Sequence, residues 1–217
     1  MKKLLLFAII LFYACNLFAF EKKVTLSYGE YPPYYGKNLK NNGPMTEIIV
    51  KAYDQVGYKV KLIYINVWKR RFVYSKIGKY DGMFTMWHKK EREEFFLFSD
   101  TLPKNKIVFY KRKETDFNKD NLEQYKIGII RGFARPSGYE NLKYEEVARA
   151  EQNIAKLIFK RIDLAIIDQN VGQNLLKTEF KKNEKQIIYI HPPIEEINQY
   201  LVISKKAENY EKPWAMS

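Results

Sequence analysis

Arg92, with Lys89 and Lys90 just ahead of it, is the group in this sequence best suited to holding an anion. A guanidinium gives a carboxylate two parallel charge-assisted hydrogen bonds, which an ammonium cannot reproduce. The basic turn follows a short apolar run, residues 83–86, that starts from the turn pair Asp81-Gly82 and reads as a buried strand. Thr85 and Trp87, on and just after that run, join Arg92 in the candidate set. A helix starting straight after a strand would aim free N–H groups at whatever lies above it. Cations in such a first turn cost a few tenths of a kcal/mol each, roughly, and a bound anion would offset this. The competing reading is a solvated basic turn.

Other residues could complete a polar site. Tyr31 and Tyr34 stand in the loop Gly29-Glu30-Tyr31-Pro32-Pro33-Tyr34-Tyr35-Gly36, which two adjacent prolines hold extended. A proline-braced surface loop is the alternative. Arg131 and Gly132 end the apolar stretch 127–130, a second place where a strand runs into a glycine turn and an expected helix start. Asp168 closes the buried, parallel-type strand 164–168, at the strand end where open α/β sheets bind ligands. It could equally be the N-cap of the helix that follows. Trp68, with Arg71 one turn on, opens a helix over 68–77 as a packing residue or a cleft contact.

The elements that must position these groups follow the β-α-β pattern. Residues 21–28 alternate as a strand, and Gly43-Pro44 starts a helix. Met45, Ile48, Ile49, Ala52, Tyr53 and Val56 form one apolar stripe along it, and Gly57 stops it. A strand over 59–65 completes a right-handed, parallel unit. The same logic returns from Leu122 to Arg131 (strand), 150–160 (helix, with Ile154, Leu157 and Ile158 inward) and 161–168. Residues 106–110 are apolar and β-prone, and 187–190 and 200–204 read as strands flanking Pro192-Pro193.

The run from Asp81-Gly82 through Glu91-Arg92-Glu93 to Phe96-Leu97-Phe98-Ser99-Asp100, with Arg161-Ile162-Asp163 through Asp168, resembles the family 3 bacterial solute-binding proteins. The resemblance extends over nearly all of residues 24–205. It implies an α/β, type II periplasmic-binding-protein fold with two lobes joined by two crossing strands. Residues 1–19 are then a signal peptide, 20–110 lobe 1, 111–188 lobe 2, and 189–217 the hinge return with a short, truncated remnant of lobe 1. It also implies periplasmic capture of a small carboxylate-bearing ligand, an amino acid or a relative, for the membrane subunits of an ABC transporter. Arg92 would take the ligand carboxylate, Asp168 its ammonium, and Tyr31 and Tyr34 would stack on it. The sequence departs from the family where Lys89 replaces a usual threonine and where Phe133-Ala134 replace the usual hydroxyl residues after Gly132. A sensory receptor for a membrane partner and a dehydratase-like enzyme on the same scaffold are the other functions this resemblance allows.

Composition sets the compartment. Lys2-Lys3, an apolar run and Ala19 read as a cleaved secretory signal. Cys15, the only cysteine, lies within it and would carry a lipid if cleavage fell ahead of it. The formal charge of +13 falls by two, to +11, without Lys2 and Lys3. Export and the spread of the lysines argue against nucleic acid as a partner. No P-loop, G-x-G-x-x-G, H-E-x-x-H, G-x-S-x-G or C-x-x-C occurs, and His88 and His191 make no recognisable metal spacing. The expectation is a monomer with no cofactor, no metal and no catalysis. Only thirteen residues, 205–217, follow the last strand, and Pro213 breaks any helix there. Exposed apolar surface on the first lobe and two separate melting transitions are expected from that.

Overall fold

The computed structural model describes residues 22–208. Residues 1–21, with the expected signal segment and Cys15, and residues 209–217 lie outside the described residues. β1 (Lys22–Tyr28) pairs in parallel with β2 (Tyr58–Tyr64), from Lys22 opposite Tyr58 to Tyr28 opposite Tyr64. α1 (Pro44–Gln55) makes the crossover between them. It begins after Gly43, whose φ of +99° favours glycine, and carries proline at its first position. α2 (Trp68–Lys76) leads from β2 to β3 (Gly82–Trp87), which is buried along its whole length and parallel to β1.

β4 (Phe96–Arg112) runs from this first lobe into a second one. There β5 (Ile127–Ile130) pairs in parallel with β6 (Tyr144–Val147), and α3 (Ala150–Ile158) leads to β7 (Leu164–Asp168), parallel to β5. α4 (Gln169–Thr178), β8 (Ile187–Tyr189) and β9 (Glu195–Ser204) complete the chain. β9 returns antiparallel to both β4 and β3. The strand order β2-β1-β3-β9-β4-β7-β5-β6, with β8 also on β4, makes one sheet through two α/β lobes, with β4 and β9 as the crossing strands. Their ladder shifts register between Phe98 and Thr101 and again between Leu102 and Asn105, so the regular pairing is interrupted at the crossing.

Three expectations change. The basic turn after β3 is a single 3-10 turn, Lys90–Arg92, not a helix start, because the chain must be extended again by Phe96 to pair with Ser204. No helix follows Gly132 either; the backbone turns at φ +81° and reaches β6 through a loop holding Pro136 and Gly138. The strand expected from Leu122 is shorter, since 3-10 turns occupy Lys119–Gln124. On α1, Met45, Ile49 and Tyr53 are buried, but Ile48 and the C-cap residue Val56 stay half exposed. They border an apolar groove of about 220 Å³ with Leu102 and Leu201.

Gly172 shows how tightly the second lobe closes. A Cβ there would lie 2.2 Å from the ring of the fully buried Tyr110. Alanine gains up to about 1 kcal/mol of helix propensity over glycine, but overpacking against an immobile ring costs about 1–3 kcal/mol. Gly172→Ala is therefore expected to lower the melting temperature, and a rise would show that Tyr110 can move aside.

Candidate ligand cleft

The 3-10 turn after β3 points Arg92 back into the seam between the lobes, where the residue is only 8% exposed. Its Nη1 donates to the Trp87 carbonyl at 2.8 Å. Its Nη2 donates across the seam to the Gly132 carbonyl at 3.3 Å. The guanidinium lies over the Trp68 ring at 5.2 Å and near Phe72 at 5.7 Å. Burial pulls its pKa below the ordinary value, with Glu91 opposing. Among the described residues no carboxylate pairs with it. A desolvated cation held only by carbonyls and rings is a strong anion receptor. The guanidinium itself supplies the positive charge that the sequence had suggested would come from a helix end.

Tyr31, Thr85, Trp87 and Trp68 line the same cavity, together with Phe133. Thr85 Oγ1 donates to Gln199 Oε1, and Trp87 Nε1 donates to Asn105 Oδ1 at 2.7 Å. Tyr31 stacks on Tyr34 at 5.6 Å. Its hydroxyl is buried without a hydrogen-bond partner. Burial first, then the nearby Asp168, pushes its pKa well up, so it stays neutral. Tyr34 donates to Asp168 at 3.3 Å and accepts from Asn170 Nδ2 at 3.0 Å.

Asp168 is 3% exposed. Its Oδ1 accepts from the Val171 N–H at 3.0 Å, which makes it the N-cap of α4. Its Oδ2 accepts from Asn105 Nδ2 at 2.9 Å and the Lys106 N–H at 3.2 Å. With Tyr34 these donors occupy both oxygens, so the carboxylate ties α4, β4 and the tyrosine loop together. Arg131 corrects the sequence reading: its side chain is 61% exposed and pairs with Glu146 at 3.4 Å. It falls in the turn just after β5, where its side chain faces solvent. Gly132 contributes its carbonyl to Arg92.

Residues outside the candidate ligand-binding set complete the seam. Asn105 and Gln199 are fully buried on the crossing strands. Phe133, from the second lobe, packs edge-on against Trp68 at 5.4 Å and Trp87 at 5.2 Å. It leaves about 20 Å³ beside Arg92, room for a water and not for an amino acid. Beyond the wall of Tyr31, Trp68 and Phe133 lies a cavity of about 260 Å³.

The sequence model of the bacterial extracellular solute-binding proteins, family 3, matches residues 24–209. The chain belongs to that family. No curated protein matches it by sequence. Among solved structures this solute-binding protein is similar to the GluR0 ligand-binding core from Nostoc punctiforme in complex with L-glutamate. The identity is 18%, with 88% of this chain and 89% of that one covered and a TM-score of 0.73. The arginine-bound Gly52Ala mutant of ArgBP from T. maritima gives 15% identity, coverages of 85% and 88%, and a TM-score of 0.70. The substrate-binding protein of an amino acid ABC transporter gives 17%, 84% and 85%, and 0.70. These likenesses fix the fold as the two-lobe, type II periplasmic-binding arrangement.

In this solute-binding protein Phe133 reaches from one lobe into the wall of the other, packed against buried apolar side chains of both. Phe133→Ala is expected to cost about 1–3 kcal/mol, below the value for a fully buried phenylalanine, and to shift the lobes toward a parted state. Small-angle scattering should show a larger radius of gyration than wild type. An unchanged radius and melting point would deny Phe133 any latching role.

Proposed function

We propose that this protein captures a small carboxylate-bearing solute between its lobes in the periplasm. It acts as a monomer and hands the solute, chemically unchanged, to the membrane subunits of an ABC transporter. The buried Arg92 guanidinium, which among the described residues forms an ion pair with no carboxylate, carries this reading. Phe133 and the Gly132 carbonyl both belong to the second lobe, so parting the lobes withdraws them from Arg92 and frees one side of its donor fork. A solute carboxylate then replaces the Gly132 carbonyl, and Tyr31, Trp68 and Trp87 offer ring faces to the rest of the solute. The L-glutamate, arginine and amino acid transporter proteins of the same fold support an amino acid or a related acid.

A thermal-shift screen of amino acids and small organic acids tests the proposal. A solute that binds only the native state stabilises it by about 2.7 kcal/mol at one hundred times its Kd. The hit should come back unaltered by mass spectrometry. Conversion of the hit would identify an enzyme instead, and failure of every carboxylate to raise the melting point would refute capture.

A further inference from the structure

The end of the second lobe farthest from the cleft gathers cations that the sequence spreads out. β5 and β7 start there, with Ile127 opposite Leu164, and run toward Gly132 and Asp168 in the cleft. Arg112, at the end of β4, ties the neighbouring segments together. Its Nη1 donates to the Leu157 carbonyl at 3.0 Å and to the Ile162 carbonyl at 2.6 Å. The Lys113 N–H donates to the Gln186 carbonyl at 2.7 Å, and the N–H groups of Asp163 and Leu164 donate to the Lys126 carbonyl. Lys113, Lys126, Lys160, Arg161 and Lys185, from four separate stretches of chain, therefore share one end of the lobe, and all are exposed. Among the described residues none of the five forms an ion pair with a carboxylate. Glu114 and Asp163 are already paired with Arg112, which leaves only Asp116 and Glu184 to offset them.

The turn that carries two of them is built against local preference. α3 closes with the Lys160 N–H on the Leu157 carbonyl at 3.1 Å and the Arg161 N–H on the Lys156 carbonyl at 2.8 Å. This pair of bonds ends a helix through one left-handed residue, ordinarily glycine. Here that residue is Lys160, at φ +55°. The position after it ordinarily packs an apolar side chain back on the helix, and here it is Arg161. The apolar side chain stands ahead of them and points away from the lobe. Phe159 is 69% exposed, with the Arg161 guanidinium 5.9 Å from its ring. The negative end of the helix dipole favours the two cations, but it gives no reason for an outward phenylalanine.

We propose that this end of the second lobe binds a membrane surface rich in anionic lipid. Phe159 inserts at the boundary between headgroups and acyl chains, and the five cations meet lipid phosphates. Cations beside one projecting aromatic side chain are matched by a surface that is anionic outside and apolar just beneath. A soluble acidic peptide would answer the charges and leave the ring in water. The cleft lies at the other end of β5 and β7, so a protein held this way keeps its solute site free.

Co-sedimentation with vesicles tests this, using the chain as its cell exports it so that every variant shares one N-terminus. Wild type should bind vesicles of equal parts phosphatidylglycerol and phosphatidylcholine, and bind pure phosphatidylcholine at least about tenfold more weakly. Lys160→Gln with Arg161→Gln should weaken binding about twentyfold, at about fivefold for each cation. Phe159→Ala should weaken it about tenfold. Lys40→Gln with Lys61→Gln removes the same charge from exposed positions of the first lobe and should leave binding nearly unchanged. Lys160→Gly should bind about fivefold less well yet melt no lower than wild type, because glycine suits the left-handed turn. That opposition separates a lost contact from lost folding. A polarity-sensitive dye on Phe159→Cys should shift to the blue with anionic vesicles, and the same dye on Lys61→Cys should not. Equal losses from the two double variants would mean that net charge alone is at work and overturn the proposal. Full binding by Phe159→Ala would also overturn it, since a purely electrostatic contact is what an acidic protein surface would make.

Discussion

Arg92→Ala should remove most of the protein's affinity for any carboxylate-bearing solute it takes up, a loss of about 2–5 kcal/mol. The guanidinium is desolvated, and its two donors already span the seam from the Trp87 to the Gly132 carbonyl. A solute carboxylate therefore exchanges for a neutral acceptor, and the gain is the difference between a charged and an uncharged bond. Alanine forfeits that gain and leaves the solute's charge buried without a partner. Arg92→Lys should recover only part of it, because an ammonium cannot offer the planar fork that reaches both lobes. Titration of a carboxylate hit from the thermal screen into wild type and both variants decides the matter. Equal affinities across the three would place the solute's carboxylate elsewhere.

The second large effect is on stability. Asp168→Ala removes the N-cap of α4, worth about 0.5–2 kcal/mol. It also strands the buried Asn105 amide and the Lys106 N–H, at about 1–3 kcal/mol for each unsatisfied group. The effects share one network and do not add fully, so a total of about 3–5 kcal/mol is expected. Asp168→Asn should be nearly as damaging, since an amide presents its own donors to Asn105 or to the backbone. Burial raises the Asp168 carboxyl above its ordinary 3.8, although its hydrogen bonds oppose the rise. The stability it contributes is therefore full below pH 3.8 and declines as pH rises through the higher folded value. Urea melts of wild type and Asp168→Asn should show the gap between them narrowing over that acidic window. A gap that widens with pH would mean that the carboxylate, not the acid, is favoured by the fold.

Much of the architecture was legible because it rests on local chemistry. Gly43-Pro44 marks the start of α1, and the apolar run into Asp168 marks β7. The long crossing strand β4 was visible only at its apolar end. Ser99-Asp100-Thr101, Pro103 and Lys104-Asn105-Lys106 lack alternation, and their extended form comes from pairing with β9, a partner distant in sequence. Arg92, Thr85, Trp87, Tyr31 and Trp68 do come together, because each sits on or just after an element whose pattern is plain. Phe133 was legible as a departure from the family, but its position between two tryptophans depends on how the lobes meet. Asn105 gave no warning beyond a lone amide beside an apolar run. Arg131 looked like Arg92 in sequence, but it falls in the turn after β5 and pairs with Glu146.

The hinge has a thermal consequence. Its buried side chains include Asn105 and Gln199, which bond to Trp87, Asp168, Thr85 and the Pro103 carbonyl rather than packing on hydrocarbon. Hydrogen bonds can be exchanged as the ladder bends, so little apolar area is covered or uncovered at the pivot itself. The heat-capacity change of closure then belongs almost entirely to the ring faces of Tyr31, Trp68, Trp87 and Phe133, since apolar burial carries that signature. Measured over a range of temperatures, the enthalpy of solute binding becomes a gauge of how completely those rings are dried.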